Sequence, residues 1–568
     1  MKMISRILFS FLAVNTVLKS VVNGKLIKHT FEIDYAPGHP DGVKSNWILQ
    51  INNQFPGPTI VGTVGDVLQV DVINRIKDKQ NTSLHWHGIH QQGTPFQDGP
   101  VMVTQCPLRY NRTQRYKFKL EQWGTFWYHS HVKSQYAEGL WGALIIHPQK
   151  PPAHKYDEEL VITLNDWYHT RTSSNEDWYL SKSNRLGRTP FPDSILLNGR
   201  GYYPCEQAWE RNLSCRKKRQ RRHVFIAPRN KKIRVRLINT SSRTSFNFSI
   251  DSHSLDTIEV DGIDVVQPVA ADVIQISPAQ RYSFIITTNQ SKAGKDRYLI
   301  RAVGILEPAA DPDTVQGKCK NCTLPVVTAI LKYDRKSQNS SNQIRNETEA
   351  YKDNFSADQL PPSPLLPNNV RLLDETLLLP YDKIVAPPFA DQTIILNSGV
   401  IITDDGDRFA FNQTLFSLPE DEPILHKVVR GVALPSEFPY VTLQPFASVR
   451  IIINNFEAAH PFHMHGHHFW VMSKFPMRND SNGNFLGFDD KLDGDKIKVS
   501  VVKRDTVYVP AKHVVVIAFY ADNPGVWTFH CHIDWHNLGG MAFILNEAPD
   551  LARRKFKVTE EMKSICRK

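Results

Sequence analysis

Short runs of alternating or β-branched residues, separated by Gly, Pro, Asn and Asp, recur along the whole chain. They include residues 67–73, 116–120, 160–164, 233–238, 282–288, 449–454 and 514–519. Long segments with the helical period are scarce. This pattern is typical of antiparallel sandwiches or barrels, and it argues against parallel βαβ units. We therefore predict an all-β chain.

Two proline-rich segments divide this β pattern into three modules. Near residues 147–152 a strand-like run ends in three prolines, and residues 336–370 are polar and rich in Ser, Asn and Pro. Such segments are typical of domain boundaries and surface linkers. The length of 568 residues, at ~150 residues per domain, favours three or four domains. We predict β-sandwich or barrel domains at residues 25–150, 151–335 and 371–568, with a linker at 336–370.

Residues 1–24 have the pattern of a secretory signal peptide. Two basic residues precede an apolar run at 7–14, and small residues follow before a predicted cleavage point. A membrane anchor is the alternative, but the run is short and is interrupted by Asn15 and Lys19. No other stretch is apolar enough to span a bilayer. We expect a secreted protein, extracellular or associated with the cell wall, with no membrane anchor.

Charge and glycosylation motifs fit an exported protein better than one that binds nucleic acid. The net charge of +11 is diffuse, so it gives only weak support for nucleic-acid binding. A basic run at residues 216–222 is predicted to be a solvated loop, with a polyanion-binding patch or a protease-cleaved loop as alternatives. Acceptor motifs for N-linked glycans occur at Asn81, Asn111, Asn212, Asn239, Asn247, Asn289, Asn321, Asn339, Asn346, Asn354, Asn412 and Asn479.

Four His-x-His pairs carry the strongest chemical signal in the chain. The pairs are His85/His87, His129/His131, His463/His465 and His530/His532. On a strand, residues two apart point to the same face, so each pair can offer two imidazoles to one metal site. A single pair is usually accidental, whereas four are not. Imidazole suits copper, zinc, iron and nickel. Eight convergent imidazoles are too many for one ion and indicate a metal cluster.

A second metal site is indicated by Cys531, which lies between the two histidines of the last pair. Strand alternation points its sulfur to the opposite face from those imidazoles. The remaining candidate ligands are His460, His536 and Met541. Two histidines, a thiolate and a weak axial methionine are the ligands of a blue-copper electron-transfer site. A structural zinc site, the alternative, explains neither the methionine nor the other eight histidines.

This arrangement gives the two sites a short covalent connection. The residues on either side of Cys531 belong to the cluster, so an electron that arrives at the sulfur-bound metal has a bonded path into it. A multinuclear copper cluster filled one electron at a time can reduce dioxygen without releasing partly reduced oxygen. The outer site can meanwhile oxidise a donor by single electrons.

With these motifs the chain resembles the three-domain multicopper oxidases, a group that contains fungal laccases, plant ascorbate oxidases and yeast-type ferroxidases. The resemblance covers nearly the whole mature chain and is strongest to fungal-type laccases. Further matching stretches lie at residues 53–59, 124–129, 166–169 and 522–527. The resemblance implies three cupredoxin-like Greek-key domains, with a three-copper cluster shared between the first and third.

The resemblance also implies a ligand assignment for four copper ions. The type 1 copper falls on His460, Cys531 and His536, with Met541 axial. The type 2 copper falls on His85 and His463. The type 3 pair falls on His87, His129, His131, His465, His530 and His532. The implied partners are a small-molecule reducing donor and O2, and the implied state is a monomer.

Two carboxylates match acids that the family places beside the cluster. Reducing O2 to two waters consumes four protons, so acids are expected there. Asp98 matches the acid near the type 2 copper, and Asp534 matches the acid near the oxygen-reducing site. Ordinary turn or surface carboxylates are the alternative for both.

Six cysteines remain after Cys531 is removed. The family resemblance implies two bridges, Cys106–Cys566 and Cys205–Cys215. Cys319 and Cys322 are predicted to form a tight local disulfide. A redox motif is the alternative, but it lacks the βαβ context.

The donor is predicted to be a diphenol or related aromatic compound. The resemblance to fungal laccases implies that Asp166 contacts the phenol and that His536 is the entry point for the electron, and a carboxylate there can accept the phenolic proton. Met541 indicates a modest type 1 potential, since many laccases carry Leu or Phe there. Electron-rich donors are therefore favoured.

Other activities remain open. Yeast-type ferroxidases carry Glu at the position of Asp166 and a C-terminal membrane helix that this chain lacks, although Asp272 could still bind ferrous iron. Ascorbate oxidases share the methionine ligand and the region around residues 198–201 and Cys205. A non-catalytic copper-binding cell-wall protein is a further alternative, but such relatives typically lose ligands, and here every ligand position is filled.

Overall fold

The structure is a computed structural model that describes residues 24–290, 296–305, 326–334, 343–350, 370–436, 438–499 and 501–566. The predicted signal peptide up to residue 23, Cys319, Cys322 and much of the predicted linker lie outside the described residues. Within the described ranges, no helix combines the length and apolarity needed to cross a membrane.

Two four-stranded sheets form the first domain, in the orders β2-β1-β4-β6 and β3-β8-β7-β5. The strands are β1 (Leu26–Gly38), β2 (Ser45–Ile51), β3 (Ile60–Thr63), β4 (Val67–Asn74), β5 (His85–His87), β6 (Thr113–Lys119), β7 (Gly124–His129) and β8 (Trp141–His147). Strand β6 alternates exposed and buried residues, as expected where one face covers a core. The two sheets enclose a core of their own around Leu68 and Trp86.

The second domain contains a seven-stranded sheet, β11-β10-β9-β13-β18-β15-β16, and a six-stranded sheet, β17-β14-β19-β20-β12-β21. Its strands are β9 (Glu158–Trp167), β10 (Ser194–Leu197), β11 (Arg200–Gly201), β12 (Arg221–Ala227), β13 (Lys232–Asn239), β14 (Ser245–Ile250), β15 (Leu255–Val260), β16 (Ile263–Ala271), β17 (Ile274–Ile276), β18 (Arg281–Thr287), β19 (Arg297–Ile305), β20 (Val326–Tyr333) and β21 (Arg345–Ala350).

The third domain contains a six-stranded sheet, β23-β22-β25-β32-β27-β30, a five-stranded sheet, β24-β34-β33-β26-β31, and the hairpin β28-β29. Its strands are β22 (Gln392–Thr403), β23 (Gly406–Phe411), β24 (Tyr440–Leu443), β25 (Ser448–Asn455), β26 (His460–Met464), β27 (Phe469–Pro476), β28 (Arg478–Asn479), β29 (Phe485–Leu486), β30 (Lys503–Arg504), β31 (Thr506–Val509), β32 (His513–Tyr520), β33 (Gly525–Cys531) and β34 (Ala542–Glu547). The second and third domains share one continuous core.

Short helices lie in the connections between strands. They are α1 (Thr172–Tyr179), α2 (Cys205–Glu210), α3 (Ile424–Val429), α4 (Asp490–Asp493), α5 (Asp534–Leu538), α6 (Pro549–Lys555) and α7 (Glu560–Cys566). Single 3₁₀ turns occur at Pro95–Gln97, Gln135–Glu138, Lys217–Arg219, Glu375–Leu377 and Gly494–Lys496. The predictions of an all-β chain and of stacked sheets are confirmed.

Strand β21 lies inside the predicted linker, where the sequence analysis did not anticipate regular structure. It pairs antiparallel with β12 at the sheet edge. The polar composition of β21 is compatible with an edge strand, because its side chains accept hydrogen bonds from arginines of other strands. Glu349 accepts hydrogen bonds from Arg222 and Arg297, and Thr348 accepts one from Arg221.

The cysteine predictions are confirmed for the described residues. Cys106 is bonded to Cys566 and Cys205 to Cys215, and the single described cysteine outside a disulfide is Cys531, which is buried. Of the glycosylation motifs, Asn239 is fully buried, and its side chain donates to the carbonyls of Thr244 and Ile276. This position cannot carry a glycan in the folded protein.

The basic run at residues 216–222 is only partly a solvated loop. Lys217–Arg219 is an exposed 3₁₀ turn, as predicted. Arg222, by contrast, is buried in β12 and forms an ion pair with Glu349 at 2.6 Å. Arg222, at the end of the run, therefore stabilises the sheet and is not part of a solvent-exposed patch.

A buried charge network joins the domains next to the histidine motifs. Arg281 forms a bidentate ion pair with Asp505, with both N–O distances 2.7 Å, and its Nε donates to the carbonyl of Thr125. Arg504 donates to Asp261 at 2.9 Å. Arg281 and Asp505 are completely buried. One ion pair thus ties the second domain to the third, and the Nε bond ties both to the first.

Candidate metal centre

Strand pairing brings the four His-x-His pairs together between the first and third domains. His85 lies opposite His129 in the β5–β7 ladder, and His463 lies opposite His530 in the β26–β33 ladder. Across the interface the rings of His87 and His463 stack with centroids 3.8 Å apart. We call the assembled residues the eight-histidine cluster: His85, His87, His129, His131, His463, His465, His530 and His532.

The cluster holds buried nitrogen atoms without hydrogen-bond partners, which is the signature of a metal site. Among the described residues, the unpartnered atoms are Nδ1 of His87 and Nε2 of His85, His129, His131, His463 and His532. Nε2 of His465 faces Nε2 of His530 at 3.1 Å. An unpaired buried polar atom is costly, so these nitrogens need ligands of another kind.

The opposite nitrogen of most rings is anchored to the protein. Nδ1 of His85, His129, His463 and His530 donates to a backbone carbonyl at 2.8–3.0 Å. This fixes the tautomer and aims the free nitrogen inward, as the outer hydrogen bonds of metal-bound histidines do. Burial, followed by the charges of neighbouring imidazoles, lowers the pKa of His129 well below its usual value. Neutral imidazole is the form that binds metals.

Asp98 lies against two members of the cluster. Its Oδ2 accepts a hydrogen bond from Nδ1 of His465 at 2.9 Å, and its backbone carbonyl accepts one from Nδ1 of His85 at 2.8 Å. The carboxylate is completely buried. The structure thus brings this predicted residue to the cluster, where it orients imidazoles.

Asp505 is a second carboxylate at the cluster, and sequence reasoning missed it. Its Oδ1 accepts from Nε2 of His87 at 3.3 Å, and its backbone carbonyl accepts from Nδ1 of His463 at 3.0 Å. Burial opposes its charge, but the Arg281 guanidinium and these imidazoles hold the pKa of Asp505 well below its usual value. A lone Asp between two short strands gives no sequence signal of this role.

The separate site around Cys531 has three donor atoms facing one another. Cys531 Sγ lies 3.4 Å from Nδ1 of His460 and 3.6 Å from Nδ1 of His536, and the two nitrogens are 3.1 Å apart. All three residues are buried. Burial lowers the pKa of His460 to about 3, so the ring is neutral. We call this set the Cys531 site.

The Cys531 site and the cluster share one stretch of backbone. Strand β33 ends at Cys531, and Nδ1 of His530 donates to the Cys531 carbonyl at 2.9 Å. Met541 is buried beside the site, where its carbonyl accepts from the Cys531 amide and its amide donates to the His536 carbonyl. These two backbone hydrogen bonds place Met541 next to Cys531 and His536.

Asp534 is a buried carboxyl group two residues from His532 of the cluster. Burial, and then the charges of Glu176 and Asp166, raise its pKa well above the usual value for a carboxyl group. Its Oδ2 has no hydrogen-bond partner among the described residues. A protonated carboxyl group with a free oxygen can deliver a proton to a nearby acceptor.

The predicted role of Asp166 as the donor-contacting acid does not agree with its surroundings. Asp166 is completely buried, and both of its oxygens are occupied. They accept hydrogen bonds from the amides of Ser242, Arg243 and Thr244 and from the hydroxyls of Ser242 and Thr244. This carboxylate holds a backbone turn together. A phenol could reach it only if that turn opened.

His536 forms the outer face of the Cys531 site. It retains 4% exposure, whereas His460 is completely buried. Phe409 packs against His536 with ring centroids 4.3 Å apart and the ring planes tilted by 43°. Burial, His460 and the guanidinium of Arg243 together lower the pKa of His536 well below its usual value. Phe409 and Arg243 come from distant segments, so no sequence motif links them to this site.

The comparisons with known proteins agree with this geometry. Family models described as multicopper oxidase match residues 32–151, 158–336 and 411–550. The chain belongs to the multicopper oxidase family.

The relatives of this multicopper oxidase include proteins named as iron transport oxidases and proteins named as laccases. It is 32% identical over 99% of its length to an iron transport multicopper oxidase, FET3, of Candida albicans, covering 82% of that protein. It is 31% identical over 95% of its length to Laccase-2 of Cryptococcus neoformans var. grubii, covering 87% of that protein. The crystal structure of Fet3p, which functions in iron import, aligns with a TM-score of 0.77 at 27% identity, covering 95% of this chain and 94% of that one. The predicted three-domain cupredoxin architecture is confirmed.

The donor atoms of this multicopper oxidase fit copper. A thiolate with two imidazoles suits a blue-copper ion, and eight imidazoles suit a copper cluster. Four bound copper ions supply one-electron transfer at the Cys531 site and reduction of O2 at the cluster. The chain's own contribution is to orient the imidazoles, to exclude water from the buried ligands and to raise the pKa of Asp534, which favours its protonated form.

Proposed function

We propose that this multicopper oxidase is a laccase-like enzyme that removes single electrons from phenols at the Cys531 site and reduces O2 at the eight-histidine cluster. In this proposal His460, Cys531, His536 and Met541 bind the type 1 copper. His85 and His463 bind the type 2 copper, and His87, His129, His131, His465, His530 and His532 bind the type 3 pair.

The charge beside His536 is the observation on which we propose a phenolic donor. A cation, Arg243, lies near enough to this ring to lower the pKa of His536. A ferroxidase must bind Fe²⁺ next to its electron acceptor, and a neighbouring guanidinium repels that ion. An aromatic donor instead gains contact with Phe409, which packs against the same imidazole.

Asp272, the acid considered for iron binding, is already paired with an arginine. Asp272 forms a bidentate ion pair with Arg371, in which its Oδ1 and Oδ2 lie 2.7 and 3.2 Å from two guanidinium nitrogens. The Asp272 carboxylate also accepts a hydrogen bond from the Arg371 amide at 3.0 Å. A carboxylate whose two oxygens are engaged by these partners is poorly placed to bind a ferrous ion. This supports a phenolic donor over Fe²⁺.

The proposed reaction divides electrons and protons between the two sites. Each phenol loses one electron through His536 and one proton to solvent, because Asp166 is not available as a base. Four such events supply the electrons that convert O2 and four protons into two waters. In this proposal Asp534, whose pKa is raised by burial, supplies protons at the cluster.

The cellular setting is part of the same proposal. We infer a secreted, monomeric protein with domains at 25–150, 151–335 and 371–568. The two disulfides support an oxidising compartment, because bridges of this kind persist in secreted proteins.

A donor panel tests the proposed function. The purified, copper-loaded protein is given 2,6-dimethoxyphenol, ascorbate or Fe²⁺, and O2 consumption is followed. We expect kcat/KM for the phenol to exceed that for Fe²⁺ by at least about tenfold. Cys531→Ser is the control for adventitious copper and should oxidise none of the three. A kcat/KM for Fe²⁺ above that of the phenol would overturn the choice of donor.

A further inference from the structure

We propose that Arg243 and Phe191 form a recognition site for the negative group of an anionic aromatic donor, so that the enzyme prefers phenols that carry a carboxylate. This inference rests on the proposed oxidation of phenols and names the class of phenol. Arg243 acts here as a specificity-determining residue beside the electron-accepting edge of His536.

Three chain segments place this site against His536. The carbonyl of Ser242 accepts a hydrogen bond from the Asp534 amide at 2.8 Å, so the turn that carries Arg243 lies on helix α5, which carries His536. The carbonyl of Arg185 accepts one from the Asp407 amide at 2.8 Å. This bond fixes the loop before β10 against β23, the strand that contains Phe409.

The Arg243 side chain is held in position while its outer nitrogens stay available. Nε donates to Thr189 Oγ1 at 2.8 Å, and the guanidinium lies 5.2 Å from the ring centroid of Phe191. No carboxylate among the described residues forms an ion pair with it. The hydrogen bond and the aromatic ring use Nε and one face of the guanidinium. The two Nη groups remain to receive an anion from solvent.

The walls of the site suit an aromatic ring. Phe191 is 38% exposed and Leu186 is 59% exposed, although both are large apolar side chains. Phe409, which packs against His536 with its ring tilted, completes the surface. Exposed apolar groups around one free cation match a ligand with an apolar ring and a negative end.

The chemistry of recognition is a charge-assisted hydrogen bond. A guanidinium binds a carboxylate through two parallel N–H donors, which orients the donor as well as attracting it. With the carboxylate on Arg243, the ring can lie along Phe409 with its phenolic oxygen toward His536. Because the site is open to water, we expect the charge to contribute about three- to tenfold in kcat/KM rather than more.

Three phenols that differ only at the end of a saturated side chain test the proposal. They are 3-(4-hydroxy-3-methoxyphenyl)propionate, its methyl ester, and 4-hydroxy-3-methoxyphenethylamine. The spacer keeps the ring chemistry nearly equal, so the ratio of kcat/KM between acid and ester reports the charge. We expect a ratio of about three to ten for the wild type, and a ratio below one for amine against ester.

Variants separate recognition from structural damage. Arg243→Gln should bring the acid-to-ester ratio to about one, Arg243→Lys should restore part of it, and Arg243→Glu should favour the amine. Arg554→Gln removes an exposed arginine on α6 and should keep the wild-type ratio. The copper absorption near 600 nm, measured in each variant, shows that the type 1 site is intact.

The results of this experiment distinguish a failure of the proposed function from a failure of this inference. If the wild type oxidises none of the phenols, the proposed function fails. If it oxidises all three with an acid-to-ester ratio near one, or if Arg243→Gln keeps the wild-type ratio, this inference fails and the proposed function stands.

Discussion

Replacing Asp505 by Asn tests the claim that one buried ion pair holds the domains and the cluster in place. The pair with Arg281 is completely buried, and its two N–O distances are 2.7 Å, which at an effective dielectric constant of about 20 corresponds to an attraction of about 6 kcal/mol. Loss of hydration offsets part of this attraction. Breaking one partner of a buried pair costs about 3–5 kcal/mol, because the other charge is left alone.

The expected effect is a large loss of thermal stability. About 3–5 kcal/mol corresponds to a decrease in Tm of roughly 6–20 °C for a domain of about 200 residues. Differential scanning calorimetry of the copper-loaded protein measures it. Asp272→Asn, which breaks an exposed pair with Arg371, is the matched control and should change Tm by less than about 3 °C.

A double variant and a copper assay complete the test. Arg281→Gln combined with Asp505→Asn removes both charges and should recover much of the lost Tm. Since the Asp505 carboxylate also accepts a hydrogen bond from His87, Asp505→Asn should weaken copper binding by about 10- to 100-fold in a competition with a chelator. A Tm for Asp505→Asn within about 2 °C of wild type, or a double variant no more stable than the single one, would refute the reasoning.

Three further predictions concern protons, acid stability and the chain terminus. Asp534→Asn cannot donate a proton, so stopped-flow reoxidation of the reduced enzyme by O2 should slow by about 100-fold while reduction by the donor is unaffected; equal reoxidation rates would contradict the role of Asp534. The pKa of Glu375 lies well below its usual value because Arg504 and Lys474 outweigh burial, so its stabilisation is complete above its unfolded pKa and is lost as pH falls below about 4. Glu375→Gln should therefore lower Tm at pH 7 and flatten the decline in Tm between about pH 4 and pH 2; an unchanged acid limb would exclude this contribution. Replacing both Cys106 and Cys566 by Ser should reduce stability by about 2–4 kcal/mol with little effect on kcat/KM, measured by calorimetry and O2 uptake, and an unchanged Tm would show that the bridge does not stabilise the chain.

The metal ligands could be predicted from the sequence because strand geometry is local. Two residues that are two apart on a strand share a face, so each His-x-His pair predicts a pair of imidazoles without knowledge of the fold. The same alternation separates Cys531 from its neighbours. The structure brings these residues together as that rule requires.

The surroundings of the ligands could not be predicted in this way. Asp505 and Arg243 reach the two sites from distant segments, and their sequence neighbours carry no motif. Asp166 shows the opposite failure. It belongs to a recognisable stretch, but its side chain points into a turn at residues 242–244 rather than toward a donor. Neighbourhood in sequence does not fix the direction of a side chain.

The wiring between the two sites is tested most directly by comparing wild type with Cys531→Ser. Wild type should bind four copper ions, absorb strongly near 600 nm and couple oxidation of four donor molecules to each O2 consumed. The serine variant should keep the three ions of the eight-histidine cluster but lose both the 600 nm band and donor oxidation, because electrons no longer have a thiolate to pass through. A variant that still oxidises phenols at the wild-type rate, or a copper-loaded wild type without the 600 nm band, would contradict the account.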